Sequence, residues 1–143
     1  MIIPVSETNV TVWAQMCVEL WPEATVSAMI EEHTDGHLGN EFIYCTPENQ
    51  PAAFISLALR YDYVEGTDSS PVGYIEGIYV REAYRHKGIA RELIGFAKEW
   101  SRSKGCTELA SDCIIENEIS RKFHNKVGFK EANTIVCFTM ELM

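Results

Sequence analysis

Basic residues are scarce in this chain. Twelve Lys and Arg stand against 21 Asp and Glu, for a formal net charge of −9. Binding to nucleic acid needs a basic face, so no nucleic-acid partner is expected. The negative surplus suits a cationic partner, because an acidic cleft concentrates cations; it also serves plain solubility. Long apolar runs are missing as well. No stretch approaches the roughly 20 residues of a membrane helix, and no membrane partner is expected. The opening Met1-Ile2-Ile3-Pro4 lacks the basic region and apolar core of a signal peptide. A cytoplasmic location follows as an expectation. Cysteine is sparse and unpatterned: Cys17, Cys45, Cys106, Cys113 and Cys137 are odd in number and form no C-x-x-C pair. Neither a zinc site nor a disulfide framework is indicated, and no metal is expected. Most read as buried apolar thiols. There is no repeat, low-complexity segment or linker, and 143 residues fit one compact domain.

What is present is a succession of short elements. Ser6 or Thr8 can cap a first helix running to about Leu20, with Val12, Trp13, Met16, Val18 and Leu20 as apolar positions. Trp21-Pro22 breaks it, and a second helix is expected from Ala24 to His33. Gly36 and Gly39 mark a loop. Strands are expected at Phe42–Cys45, Ala52–Arg60 and Val72–Val80, the first two in an antiparallel meander around Pro47-Glu48-Asn49-Gln50. A long helix carries Ile89, Ala90, Leu93, Phe96, Ala97 and Trp100 on one face, and Lys104-Gly105 stops it. A strand at Thr107–Asp112 follows, then a helix capped by Asn117 and closed by Gly128, then a last strand at Thr134–Leu142. The expected order is αα, three strands, α, β, α, β. Crossover helices require a parallel pairing somewhere, so the sheet should be mixed.

The most informative stretch joins the Val72–Val80 strand to the long helix. It ends in Arg85-His86-Lys87-Gly88-Ile89-Ala90, an Arg-x-x-Gly-x-Ala pattern. A glycine at a helix start lets an anion approach the free backbone N–H groups, and the helix dipole adds about half a positive charge there. Such a turn suits a phosphate or pyrophosphate. The bland alternative is an ordinary strand-to-helix turn with a helix-packing glycine.

This turn resembles the acetyl-CoA pyrophosphate loop of the GNAT superfamily of N-acetyltransferases. The expected element order matches the GNAT fold, an α/β single domain with a central mixed sheet flanked by helices, over residues 1–143. A narrower likeness is carried by Leu20-Trp21-Pro22, Arg60-Tyr61-Asp62-Tyr63-Val64-Glu65-Gly66, Ser70-Pro71-Val72, Glu76-Gly77-Ile78-Tyr79-Val80 and Ala110-Ser111-Asp112, which stand in order. Together they resemble the aminoglycoside 6′-N-acetyltransferases of the small chromosomal type of Gram-negative bacteria. The resemblance implies acetyl-CoA as co-substrate, an aminoglycoside acceptor, antibiotic resistance as the outcome, and a homodimer.

The resemblance also implies roles for residues. Backbone groups of Ile78, Tyr79 and Val80 would pair with the pantetheine arm as an added strand, with those near Tyr79 and Val80 facing a developing oxyanion. His86, Lys87, Gly88, Ile89, Ala90 and Arg91 would hold the pyrophosphate, though Lys87 and Arg91 also read as a solvated helix end. Glu76 stands in an otherwise apolar strand, where a carboxylate is costly without a partner or a task. It would bind the acceptor and serve as general base, the alternative being an outward-facing strand residue. Asp112 would be an acceptor ligand or, on sequence alone, a capping or turn aspartate. Asn117 would contact the cofactor, or simply cap its helix. Trp21 and Tyr63 would touch the acceptor, against a core-packing reading. His124 stands where many GNAT enzymes place a tyrosine that protonates the leaving thiolate; a surface helix histidine is the alternative. Two departures bear on the acceptor. Ala24 replaces a histidine that often follows Trp-Pro, and Asn133 replaces an acidic ligand beyond Gly128-Phe129. Another amine acceptor, such as a polyamine or a protein N-terminus, is the second reading. A non-catalytic acyl-CoA sensor is the third, and a retained Glu76 argues against it.

Overall fold

The computed structural model describes residues 1–36 and 40–143. Among them a short strand β1 (Ile2–Pro4) leads into helices α1 (Val10–Leu20) and α2 (Val26–Thr34). Strands β2 (Asn40–Cys45), β3 (Pro51–Arg60) and β4 (Val72–Val80) follow. A 3₁₀ turn at Glu82–Tyr84 precedes α3 (Ile89–Ser103), β5 (Leu109–Ser111) and α4 (Glu118–Lys126). The sheet has five strands in sequential order; only β4 and β5 run parallel. It is the expected mixed sheet.

Strand alternation divides the core between the two faces. Ile55, Leu57 and Ile75 meet the apolar stripe Ile89, Leu93, Ile94 and Ala97 of α3. The opposite face sends Ile43, Cys45 and Phe54 against Trp13, Met16, Cys17 and Met29 of α1 and α2. The stripe on α3 repeats at helical spacing, and that spacing makes this segment a helix on a sheet.

Several elements differ from the sequence expectation. β1 was not anticipated: three residues carry no period, and they become a strand by pairing with Phe42, Ile43 and Tyr44. The order therefore begins with a strand. Neither Ser6 nor Thr8 caps α1. Asn9 takes that position, and its carboxamide oxygen accepts from the Ser6 N–H at 2.7 Å. α2 starts at Val26, where Thr25 Oγ1 accepts from the Ala28 N–H at 3.2 Å. Gly36 adopts φ +72° in a turn, and Gly39 lies outside the described residues. The Thr107–Asp112 strand contracts to Leu109–Ser111. The expected strand at Thr134–Leu142 does not form. Alternation alone makes no ladder: among the described residues this segment pairs with no strand, and Ile135, Val136, Phe138, Met140 and Leu142 are all exposed.

Candidate active site

β4 sets the geometry of the site. Its register against β3 pairs Ser56 with Gly77 but Leu57 with Ile75. Glu76 is thus the extra residue of a β-bulge, a device that bends a strand and re-aims a side chain. Its carboxylate does not enter the core. Glu76 Oε1 accepts from Arg60 Nε at 3.2 Å and Arg60 Nη2 at 2.8 Å, and both side chains are partly exposed. The same guanidinium lies 3.5 Å from the centre of the Tyr74 ring. Tyr74 in turn donates its hydroxyl to Asp112 Oδ2. Burial and that bond push the Tyr74 phenol up, so it stays a donor. Arg60, Tyr74 and Asp112 line a cavity of about 850 Å³, together with Tyr63, Glu65, Ser111 and His124.

The second feature is an open edge. β5 pairs only with Gly73, Tyr74 and Ile75, so β4 runs on from Glu76 to Val80 with no neighbour on that side. Ile78 and Val80 pack their side chains on the α3 core. Tyr79 faces the other way, and its hydroxyl donates to Glu19 Oε1 at 3.0 Å. Burial and the Glu19 carboxylate raise its pKa. Only the backbone of Tyr79 is presented at the edge. The edge leads directly into the glycine turn. Gly88 is the N-cap of α3 with φ +83°, and a Cβ built there would meet no atom within 4 Å. The helix-packing alternative is thereby removed. The glycine is needed for its backbone angle, and it leaves space before the helix N–H groups. A small cavity of about 200 Å³ sits there, lined by Arg85, His86, Gly88, Ala90, Arg91 and, from α4, Phe123 and Lys126. Lys87 lies outside that lining, with its ammonium 5.8 Å from the Tyr84 ring.

The remaining expected residues surround this frame. His124 turns from α4 toward β5: Nε2 lies 2.8 Å from Ser111 Oγ and Nδ1 2.7 Å from the Ser120 carbonyl oxygen. A carbonyl only accepts, so Nδ1 carries a proton. Asn117 Oδ1 accepts from the Ser120 N–H at 3.0 Å, so the capping role is observed directly. Trp21 packs against Phe54, and its ring edge lies 2.8 Å from where a Cβ on Gly77 would stand. Any side chain at position 77 would drive the indole off the bulge. Tyr63 is exposed, with its hydroxyl accepting from the Gly66 N–H at 3.3 Å. Asp112, Tyr63 and His124 therefore share one cavity, while the glycine turn and Lys126 share the other. Sequence reasoning missed Arg60 and Tyr74, which read as strand residues, and Lys126, whose approach to the turn depends on how α4 docks. Among the described residues no group of three or more His, Cys, Asp or Glu is placed to hold a metal.

The family described as "Acetyltransferase (GNAT) family" matches residues 8–129, and the chain belongs to it. Within that family the chain is similar to curated proteins named aminoglycoside N(6′)-acetyltransferase type 1. The one from Stenotrophomonas maltophilia is 37% identical, covering 91% of this chain and 86% of the relative. The one from Acinetobacter haemolyticus is 35% identical, with 97% of each chain covered. Among solved structures, the apo form of an aminoglycoside 6′-N-acetyltransferase from Acinetobacter haemolyticus superposes with TM-score 0.91, at 34% identity over 100% of this chain and 99% of that one. A related enzyme, AAC(6′)-Iy in complex with the bisubstrate analogue CoA-S-monomethyl-acetylneamine, superposes with TM-score 0.90 at 33% identity, covering 99% and 98%.

Proposed function

We propose that this protein transfers the acetyl group of acetyl-CoA to the 6′-amine of aminoglycoside antibiotics and so gives resistance to them. The observation that carries this reading is a pair of cavities that flank the free edge of β4, one lined by Tyr74 and the other by Val80. One holds an anion-ready helix N-terminus; the other is lined by Asp112 and by Arg60, which grips Glu76 beside it. Aminoglycosides are polycations, which an acidic wall attracts. The relatives' names and the bisubstrate complex support the same assignment.

In this reading His86, Lys87, Gly88, Ile89, Ala90 and Arg91 hold the pyrophosphate, and Ile78, Tyr79 and Val80 hold the pantetheine arm by backbone pairing. Asn117 borders the cofactor. Trp21, Tyr63, Glu76 and Asp112 hold the acceptor. Both substrates are bound together and no covalent enzyme intermediate forms. The acceptor ammonium gives a proton to Glu76, directly or through water, and its nitrogen attacks the thioester carbonyl. Backbone N–H groups near Tyr79 and Val80 face the oxyanion. The C–N bond forms, the C–S bond breaks, and the electron pair leaves on the CoA sulfur, which takes the Nε2 proton of a doubly protonated His124 ring, leaving the Nδ1–H tautomer.

We further place the protein in the cytoplasm, as one domain over residues 1–143 working as a homodimer. The five cysteines are free thiols, as a reducing compartment maintains. The unpartnered apolar segment beyond Asn133 supports a second copy of the chain as its cover.

Acetyl-CoA consumption, measured with aminoglycosides that carry or lack a 6′-amine and with spermidine and peptides, tests the acceptor. Turnover should require the 6′-amine; comparable turnover of spermidine or peptides would reassign it. Initial-rate lines should intersect, and Cys113→Ala should keep most activity. Parallel lines, or an acetylated cysteine found by mass spectrometry, would rule out direct transfer.

A further inference from the structure

Glu76 is not held by its own strand. It is the bulged residue of β4, and the one protein side chain that grips its carboxylate is Arg60, from the last position of β3. The grip is one-sided. Both Arg60 bonds end on Oε1, and among the described residues Oε2 has no partner. Arg60 itself cannot wander. Its plane is stacked on Tyr74, and the Tyr74 hydroxyl is tied to Asp112. A chain of contacts therefore runs from Asp112, Tyr74 and Arg60 on the cavity wall out to Glu76, linking two carboxylates through one phenol and one guanidinium. We propose that Arg60 is a positioning residue for acetyl transfer: it fixes Oε1 of Glu76 so that Oε2 faces the acceptor amine. This rests on the reading of Glu76 as the group that takes the amine proton.

The physical argument is the orienter logic of acid–base catalysis, in which the base is held by a third group. A carboxylate on a bulge has free rotation about its side-chain bonds. A two-point bond to one oxygen removes most of that freedom and leaves the other oxygen available. Other charged or titratable groups bear on Glu76 from the packed elements. Glu41 of β2 is a like charge when ionised, and Asp112 beyond β5 is another, while Tyr74 of β4 stays neutral. Glu19 of α1 and Arg81 pair with each other beyond the far end of β4. Arg60 is the cation in direct contact. A lysine could supply its charge but not its fork, because an ammonium is a point donor without fixed geometry.

The test is a double-mutant cycle. Arg60→Gln, Arg60→Lys, Glu76→Gln and Arg60→Gln with Glu76→Gln are assayed for kcat and for both KM values, using an aminoglycoside with a 6′-amine. Arg60 is partly exposed, so the variants should stay folded, and circular dichroism checks it. Arg60→Gln should lower kcat about 10- to 100-fold with the acetyl-CoA KM unchanged. In the Glu76→Gln background the same change should cost almost nothing further. Arg60→Lys should restore only part of kcat, because an ammonium keeps the charge and loses the fork. If Glu76→Gln is impaired and Arg60→Gln costs as much in that background as alone, Arg60 does not act through Glu76 and the proposal falls by itself. If Glu76→Gln turns over at the wild-type rate, the base reading falls and the proposal with it.

Discussion

At the scale of single residues, the site separates groups held by geometry from groups held by charge. Gly88 belongs to the first kind. Its φ of +83° is strained for any β-branched residue, at about 1–3 kcal/mol. Gly88→Val should lower the melting temperature and raise the acetyl-CoA Kd about tenfold or more by calorimetry. Gly88→Asn, which tolerates that backbone angle, should keep much of both. Normal affinity in a folded Gly88→Val protein would remove this turn as the pyrophosphate seat. Asp112 belongs to the second kind. Asp112→Asn still offers an oxygen to the Tyr74 hydroxyl, so the wall keeps its shape and loses its charge. Aminoglycoside affinity should fall and become less sensitive to salt, while acetyl-CoA binding is spared. An unchanged acceptor Kd would leave Asp112 as a structural partner of Tyr74. Glu76→Gln should cost about 10²–10⁴ in kcat. His124→Phe should cost less, because a thiolate can leave without full protonation, and it should erase any alkaline limb that an imidazolium sets.

At the scale of elements, pattern-rich segments were readable and pattern-poor ones were not. β4 was read from Val72 to Val80, and most of the apolar stripe of α3 was read, all but the buried Ile94, because each carries several turns or alternations of its period. β1 and the shortened β5 have three residues apiece, and pairing rather than composition makes them strands. The bulge at Glu76 was invisible, since it exists only in the register between two strands. Arg60 went unread for the same reason. Asn117 was legible because capping is a local rule; Asn117→Ala should cost about 1 kcal/mol in denaturant unfolding. β2 carries the clearest pH dependence. Burial pushes the Glu41 carboxyl up to about 7, opposed by a bond from Ser56 Oγ and reinforced by the charge of Glu76. The folded chain thus holds this proton to higher pH than the unfolded chain. Its stabilising contribution is complete below the ordinary value of 4.5 and is lost as pH rises through about 7. The full effect is about 3 kcal/mol. Glu41→Gln should therefore flatten the melting temperature between about pH 5 and 8; a slope like the wild type's would assign the dependence to other groups.

At the scale of the whole molecule, the segment after Asn133 packs on little of the described chain. Asn133 Nδ2 donates to Glu65 Oε1 at 2.6 Å, and beyond that anchor the chain presents Phe138 at 89% exposure and Leu142 at 88%. A contiguous apolar segment of this size marks an association surface. Sedimentation should find a dimer for the full chain and a monomer for a chain ended at Asn133; a monomeric full chain would contradict the homodimer. The alternation of Thr134–Leu142 suits a strand, but among the described residues the segment pairs with none. The seam between β4 and β5 has a consequence of another kind. Three residue pairs join the β5–α4 half to the rest of the sheet, whereas eight join β3 to β4. Few pairs mean a low local barrier to opening, so amide protons of β5 and α4 should exchange faster than those of β3. Acetyl-CoA lying along the open edge would touch both halves and close that seam. Saturating co-substrate should then slow exchange most in β5 and α4, making the least protected part of the sheet the one most stabilised by occupancy.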